Sequence, residues 1–89
     1  MLTDKEKKEL KLRLKKIAGQ INGIDKMLDE GRYCIDVVQQ ILAARAALNQ
    51  VAVIILESHA KSCVVTAIKE NRTDQSIEEL MDVFKQFVK

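Results

Sequence analysis

Residues 34–70 read CIDVVQQILAARAALNQVAVIILESHAKSCVVTAIKE, and neither proline nor glycine interrupts them. Their apolar residues recur at the period of an α-helix. We therefore predict one long central helix, which begins near Cys34 or Asp36 and ends at about Asn71. A helix of some 35 residues is roughly 50 Å long. Around Val51–Leu56 almost every face of this helix is apolar, so several neighbouring helices must cover it.

A shorter helix is predicted before the central one. Thr3 is suited to cap its first turn, and Glu6 three residues later completes a capping box. Gly31 is suited to stop the helix, which we expect to end near Glu30. Apolar residues between these points alternate in steps of four and three, which predicts one buried stripe. The stripe comprises Leu10, Leu14, Ile17, Ile21, Ile24 and Leu28.

A third helix is predicted after a turn at residues 71–74, which read NRTD. One side of this helix is apolar, with Ile77, Leu80, Met81, Phe84, Phe87 and Val88. The chain shows neither a strand pattern nor a glycine-rich phosphate loop, which argues against a nucleotide-binding α/β fold. We predict an all-α protein in which residues 1–89 form a single domain with three helices. A chain of 89 residues buries a small core, yet 47% of its residues are hydrophobic, so we expect it to form oligomers.

The basic residues are concentrated at the N-terminus. Residues 1–16 hold seven Lys/Arg against three Asp/Glu, a net charge of +4, whereas the rest of the chain carries −2. A basic end on a nearly neutral protein suits contact with an anionic polymer, although a solvated helix face would have the same composition. The N-terminus does not resemble a signal peptide, and the longest uninterrupted apolar run is too short to span a membrane. We therefore expect a cytosolic protein.

Three side chains of the central helix are candidate metal ligands. His59 and Cys63 are four residues apart, so they lie one turn apart on the same face. Cys34 precedes His59 by 25 residues, which is roughly 37 Å of helix, and cannot reach it within one chain. Two copies packed antiparallel, with a two-fold axis near Ala47 and Leu48, would bring Cys34 beside the partner's pair. Two buried thiols and a surface histidine are the simpler alternative.

This set of side chains favours a soft metal ion over catalysis. Two thiolates and one imidazole form a three-coordinate site of the kind that selects Cu(I), whereas zinc usually takes a fourth ligand. The pair His59 and Cys63 could in principle activate a nucleophile. However, no oxyanion loop or orienting motif accompanies it, and the chain has a single histidine. We therefore expect no enzymatic activity.

Three segments in order resemble the CsoR/RcnR family of bacterial repressors. They are residues 13–24 (RLKKIAGQINGI), residues 27–34 (MLDEGRYC) and residues 57–63 (ESHAKSC). The resemblance extends from about residue 4 to residue 88. It implies a three-helix protomer, an antiparallel four-helix-bundle dimer and a disc-shaped dimer of dimers. It also implies that the apo-protein binds operator DNA and releases it when the inducer binds.

The resemblance also implies which inducer the chain senses. Copper sensors of the family are similar to this chain in combining Cys34, His59 and Cys63. Nickel and cobalt sensors carry histidine in place of Cys63, persulfide sensors lack His59, and formaldehyde sensors usually lack the second cysteine. Tyr33 and Glu79 match positions that lie around the ligands in copper sensors.

For DNA, the resemblance implies contacts from both the first and the central helix. One departure is that Gln50 stands where many relatives have a basic residue. The implied contact residues are Arg13, Lys15, Lys16, Gln20 and Arg45.

Three functions are compatible with these residues. The first is a repressor that responds to copper(I). The second is a repressor of the same family whose two thiols sense reactive sulfur, which the presence of His59 argues against. The third is a cytosolic copper buffer that does not bind DNA, which the basic first helix argues against.

Overall fold

The computed structural model describes residues 2–70 and 73–88, without the side chains of residues 63, 64, 67, 73, 74, 76, 87 and 88. Three helices account for most of these residues: α1 (Asp4–Asp29), α2 (Cys34–Glu70) and α3 (Thr73–Val88). The described ranges contain no strand, so the predicted all-α class is confirmed. The predicted long central helix is α2, which has 37 residues.

Helix α1 begins at the predicted capping box. The side-chain oxygen of Thr3 accepts a hydrogen bond from the backbone N–H of Glu6, and a carboxylate oxygen of Glu6 accepts one from the backbone N–H of Thr3. Thr3 itself has an extended backbone, with φ −72° and ψ 162°. These bonds satisfy two backbone donors that would otherwise have no partner within the helix.

Helix α1 ends at Asp29, close to the predicted end near Glu30, and Glu30 is its C-cap. The backbone N–H of Gly31 donates to the carbonyl of Leu28 at 3.2 Å, and that of Arg32 donates to the carbonyl of Met27 at 3.0 Å. This pair of bonds is a Schellman motif, and it requires a left-handed residue after the C-cap. Gly31 provides that conformation with φ 66°. The chain reverses here and enters α2 only three residues later.

The start of α3 differs from the prediction. Residues 71–72 lie outside the described residues, but Thr73 and Asp74, which were expected in the turn, already belong to α3. Threonine and aspartate are favourable both as caps and in a first helical turn, so residue type alone does not fix the first helical residue. Three of its apolar residues are about half exposed, namely Ile77, Met81 and Phe84. The side chains of Phe87 and Val88 lie outside the description.

The chain packs as two units, one of residues Leu2–Ile55 and the other of Leu56–Lys89. The core of the first unit lies between α1 and the first part of α2. Leu10 and Ile17 of α1 are each 4% exposed and pack with Val51 of α2, which is 6% exposed. Around them pack the partly buried residues Leu2, Ala47 and Ile54.

The predicted buried stripe of α1 is only partly buried. Leu10 and Ile17 form part of the core, and Ile24 is half-buried. By contrast, Leu14 is 44% exposed and Ile21 is 51% exposed. Leu28, at the end of the stripe, is exposed as well. The single neighbouring helix in this unit covers only a narrow part of the stripe, which leaves one apolar edge open.

Much of α2 is also apolar and exposed. In the first unit its exposed apolar residues are Ile35, Val38, Ile41, Leu42, Leu48, Val53 and Ile55. By length and composition alone, the segment Cys34–Ser62 could cross a membrane, since it contains an 18-residue stretch with a mean hydropathy of 1.5. Only 11% of that stretch is buried. A helix that other chains cover in an oligomer would have the same properties.

Candidate metal centre and nucleic-acid interface

Cys34 is the first residue of α2. The backbone carbonyl of Tyr33 accepts the first hydrogen bond of this helix, from the N–H of Val37 at 3.2 Å. The thiol is free and exposed. The turn at Gly31 therefore presents Cys34 to solvent at the start of a long helix, where it is available to a ligand or to a second chain.

His59 and Cys63 also lie on α2, one helical turn apart as predicted. The side chain of His59 is half-buried, whereas that of Cys63 lies outside the described residues. Where side chains are described, no three potential metal ligands come together within one chain. Because the side chain of Cys63 is not among those described, the structure of one chain does not test the predicted metal site.

Tyr33 and Glu79 were predicted to lie around the metal ligands. Tyr33 is 69% exposed. Glu79 lies on α3 and is exposed as well. Neither side chain forms a hydrogen bond or an ion pair with any residue in the described ranges, so the structure of one chain does not test their predicted role.

Three of the predicted DNA-binding residues line one groove. This groove, which we call the α1 groove, has a volume of about 450 Å³ and contains Arg13, Lys16 and Gln20. Its other lining residues are Glu9, Leu12, Ile17 and Ala47. Arginine, lysine and glutamine all donate hydrogen bonds suited to phosphate oxygens. The groove therefore combines apolar lining residues with side chains that can donate hydrogen bonds to a phosphate backbone.

Two other predicted contacts, Lys15 and Arg45, are exposed but do not line this groove. Successive residues of a helix are about 100° apart, so Lys15 lies about 160° around α1 from Arg13. Lys15 therefore does not lie on the face of α1 that carries Arg13. Its contact with DNA and that of Arg45 stay predictions.

A second groove continues from the first at Gln20, which lines both. This loop groove has a volume of about 390 Å³. Its polar residues Lys26, Arg32 and Gln40 were not predicted from the sequence. Its remaining lining residues are Gly23, Ile24, Met27 and Glu30. A signal for the groove was present at Gly23, because a glycine on an exposed helix face leaves space beside the backbone.

The family can now be identified from comparison with known proteins. Residues 6–86 match the family of metal-sensitive transcriptional repressors. This chain belongs to that family. The match covers almost the entire sequence and confirms the resemblance noted above. Metal-sensitive repressors are regulators rather than enzymes, which agrees with the absence of a catalytic motif in the sequence.

Individual members of this repressor family are similar to this chain over most of their length. The copper-sensing transcriptional repressor CsoR of Bacillus subtilis strain 168 is 48% identical over 87 residues, covering 98% of this chain and 86% of the relative. The crystal structure of the copper-sensing repressor CsoR with Cu(I) from Geobacillus thermodenitrificans NG80-2 is 49% identical, with a TM-score of 0.90. That match covers 100% of this chain and 93% of the other.

The fold of these repressors does not by itself select the metal. The nickel-responsive transcriptional regulator InrS is 36% identical, with a TM-score of 0.79 and coverage of 90% of each chain. Since regulators named for copper and for nickel share this fold, the identity of the metal must come from the side chains that bind it.

Proposed function

We propose that this chain is a copper(I)-responsive transcriptional repressor. The apo-protein binds operator DNA and releases it when Cu(I) binds Cys34, His59 and Cys63. The observation that carries the proposal is this set of donors, all on one helix of a metal-sensitive repressor. The identity of 48% with a copper-sensing relative supports the choice of metal.

The donors of this chain fit Cu(I). Two thiolates and one imidazole are a soft set that favours Cu(I) over the harder divalent ions. Cys34 is a free and exposed thiol, and half-buried His59 retains access to solvent. When bound, Cu(I) would link the side chains of Cys34, His59 and Cys63 through bonds to their soft donor atoms. Thiolate ligands must be deprotonated, so binding releases protons.

Each proposed site is shared between two chains. Cys34 is 25 residues before His59 on the same helix, and about 1.5 Å of rise per residue keeps them apart in one protomer. An antiparallel partner reverses the direction of α2, which brings one end of the helix beside the other end of its copy. Two-fold symmetry then gives two equivalent sites in each dimer. Tyr33 and Glu79 are proposed to orient the ligands of these sites.

We propose an oligomer in the cytoplasm, and the uncovered apolar surface supports the oligomer. Leu14 and Ile21 of α1 and Ile41 and Leu48 of α2 are each 44–51% exposed in one chain. Monomeric soluble proteins rarely leave large apolar patches open. A four-helix bundle made from α1 and α2 of two chains would cover these residues, and two such dimers would form the tetramer.

Arg45, in the middle of the apolar segment, argues against a membrane-spanning helix.

The α1 groove is proposed to bind the DNA backbone. Hydrogen bonds to phosphate oxygens would come from Arg13, Lys16 and Gln20. The apolar lining residues would pack against the aliphatic parts of these side chains. Lys15 and Arg45 are proposed as further contacts outside the groove. Residues 2–55, which include the groove, carry a net charge of +3, whereas residues 56–89 carry −1. The charge of the first unit therefore favours an anionic partner.

The test measures DNA binding with and without the metal. A duplex is first selected by the apo-protein from a randomised library and then labelled for fluorescence anisotropy under anaerobic conditions. We expect tight binding without metal and release after addition of one Cu(I) per chain. X-ray absorption of the copper-loaded protein should fit two sulfurs and one nitrogen.

Other outcomes would contradict the proposal. Selection of no duplex by the apo-protein would favour the copper buffer. Release by a polysulfide donor but not by Cu(I) would favour the dithiol sensor. Release by Ni(II) or Zn(II) in preference to Cu(I), or a four-sulfur coordination shell, would exclude the assigned metal site.

A further inference from the structure

The loop groove has no role in the function proposed above. It lies at the C-terminal part of α1 and includes Arg32 from the turn and Gln40 from α2. Its polar side chains are exposed, so they can reach a large ligand. Its two basic residues are Lys26 and Arg32, and its one acidic residue is Glu30.

The two grooves together form a continuous basic track. They meet at Gln20, and between them they contain four basic and two acidic residues, a net charge of +2. From Arg13 to Lys26 the track follows about 20 Å of helix. One strand of B-DNA rises about 3.4 Å per phosphate along the duplex axis, so this length equals the axial rise over about six phosphates. The track is thus long enough for an extended stretch of DNA backbone.

Gly23 opens the middle of the track. A Cβ added at this residue would meet no atom within 4 Å, so the space beside the helix backbone is unfilled. Gly23 lines the loop groove one turn after Gln20. A phosphate backbone that leaves the α1 groove at Gln20 can therefore pass close to α1 toward Lys26.

Arg32 can exchange its present partner for a phosphate. Its guanidinium lies 3.8 Å from the carboxylate of Glu30, and both side chains are about half exposed. An exposed ion pair contributes little to stability, so little is lost when a phosphate replaces the carboxylate. Arginine also binds phosphate through two parallel hydrogen bonds, which a single 3.8 Å contact does not provide.

From these observations we propose that the loop groove extends the DNA-binding surface, with Lys26 and Arg32 binding phosphates of the operator backbone. The proposal rests on the proposed function, because it names further residues that bind the same DNA. It adds a contact at the turn that leads directly into Cys34. The contact is independent of base sequence, so it strengthens binding to any duplex.

The experiment compares two double variants with the same loss of charge. In Lys26→Gln/Arg32→Gln both changes lie in the loop groove. In Lys69→Gln/Lys85→Gln both changes remove exposed lysines of α2 and α3 that lie outside either groove and outside the basic N-terminal segment. The apo-forms are titrated with the duplex selected by wild type, over a range of salt concentrations. Circular dichroism and sedimentation verify that helix content and assembly are unchanged.

We expect Lys26→Gln/Arg32→Gln to bind the duplex several-fold more weakly. The slope of log affinity against log salt should fall by about 0.9 for each lost phosphate contact. The control variant should keep the wild-type slope, and Lys26→Arg/Arg32→Lys should restore it. Equal slopes for the two Gln variants would overturn the proposal, whether both match wild type or both fall. If wild type itself binds no duplex, the proposed function fails instead.

Discussion

Thr3 and Glu6 cap α1 reciprocally: the Oγ1 of Thr3 accepts from the N–H of Glu6, and the Oε1 of Glu6 accepts from the N–H of Thr3, each at 3.1 Å. We expect Thr3→Ala to lower the free energy of unfolding of each chain by about 1 kcal/mol, because the N–H of Glu6 loses its acceptor. Urea unfolding of the apo-protein at one fixed concentration measures this change. Thr3→Ser keeps an oxygen at this position and should stay close to wild type. Equal losses for the two variants would show that the hydroxyl does not stabilise the helix.

Replacing Gly31 should destabilise the protein by a different mechanism. Its φ of 66° lies in the left-handed region, where a Cβ costs about 1–2 kcal/mol. Gly31→Ala should lower the unfolding free energy by about that amount, and Gly31→Asn by less. Gly19→Ala is the matched control in the interior of α1. A Cβ there meets nothing within 4 Å, so the control should raise stability by about 0.5–1 kcal/mol. A neutral effect of Gly31→Ala would contradict the role of the turn.

A charge at the proposed two-fold axis should separate the chains. Leu48 is 44% exposed in one chain and is predicted to lie near that axis. In Leu48→Glu two carboxylates would meet within an apolar contact, so we expect the dimer to dissociate in sedimentation velocity. Gln39→Glu adds the same charge about 180° around α2 from Leu48 and should leave assembly intact. An unchanged sedimentation coefficient for Leu48→Glu would exclude the axis at this position.

Mixed dimers should test whether each metal site uses two chains. Cys34→Ala protein and His59→Ala/Cys63→Ala protein each lack ligands for both sites of their own dimer. After unfolding and refolding together, a mixed dimer would contain one intact site and one site without ligands. We therefore expect about one tightly bound Cu(I) per mixed dimer, measured by competition with a Cu(I) chelator. Complete loss of tight binding in purified mixed dimers would indicate a site within one chain.

His59 is predicted to connect metal binding with release of DNA. A ligand shifts a conformational equilibrium only through different affinities for the two states. The second ring nitrogen of a histidine ligand usually binds another protein group, and Tyr33 and Glu79 are the proposed partners. His59→Ala should retain Cu(I) through the two thiolates but lose much of a coupling free energy of about 1–3 kcal/mol.

The measurement for this prediction is the anisotropy titration with and without saturating Cu(I). Cys34→Ala serves as the comparison, because it should lose both metal binding and release. Full release by copper-loaded His59→Ala would rule out the histidine as the connection. It would also favour the dithiol sensor, which a polysulfide donor in the same titration would test.

The helix boundaries were predictable where the signals are local. Thr3 and Glu6 mark the start of α1, and Gly31 marks its end, because each acts through hydrogen bonds within a few residues. How deeply each apolar residue of α1 is buried was not predictable from such local signals. Leu14 has the same helical period as Leu10, yet its exposure depends on which chains pack against α1.

The proposed DNA-binding surface was likewise predictable only in part. The position of Lys15 away from Arg13 could have been deduced from the 100° step of a helix. The loop groove could not, because it arises where Gln40 of α2 packs beside α1, and the register between two helices is not encoded locally. The ligand spacing from Cys34 to Cys63 was readable directly, because one uninterrupted helix carries all three residues.

The unbroken α2 also restricts how this chain can change in evolution. Inserting or deleting one residue in a helix turns every later side chain by about 100° and moves it by about 1.5 Å. In the proposed symmetric dimer both chains would carry a length change between Cys34 and His59, so the displacement would affect both proposed sites. No glycine or proline lies between these residues to absorb the change as a bulge or kink. Substitutions can accumulate in this segment, whereas changes in its length would remove both proposed metal sites in one step.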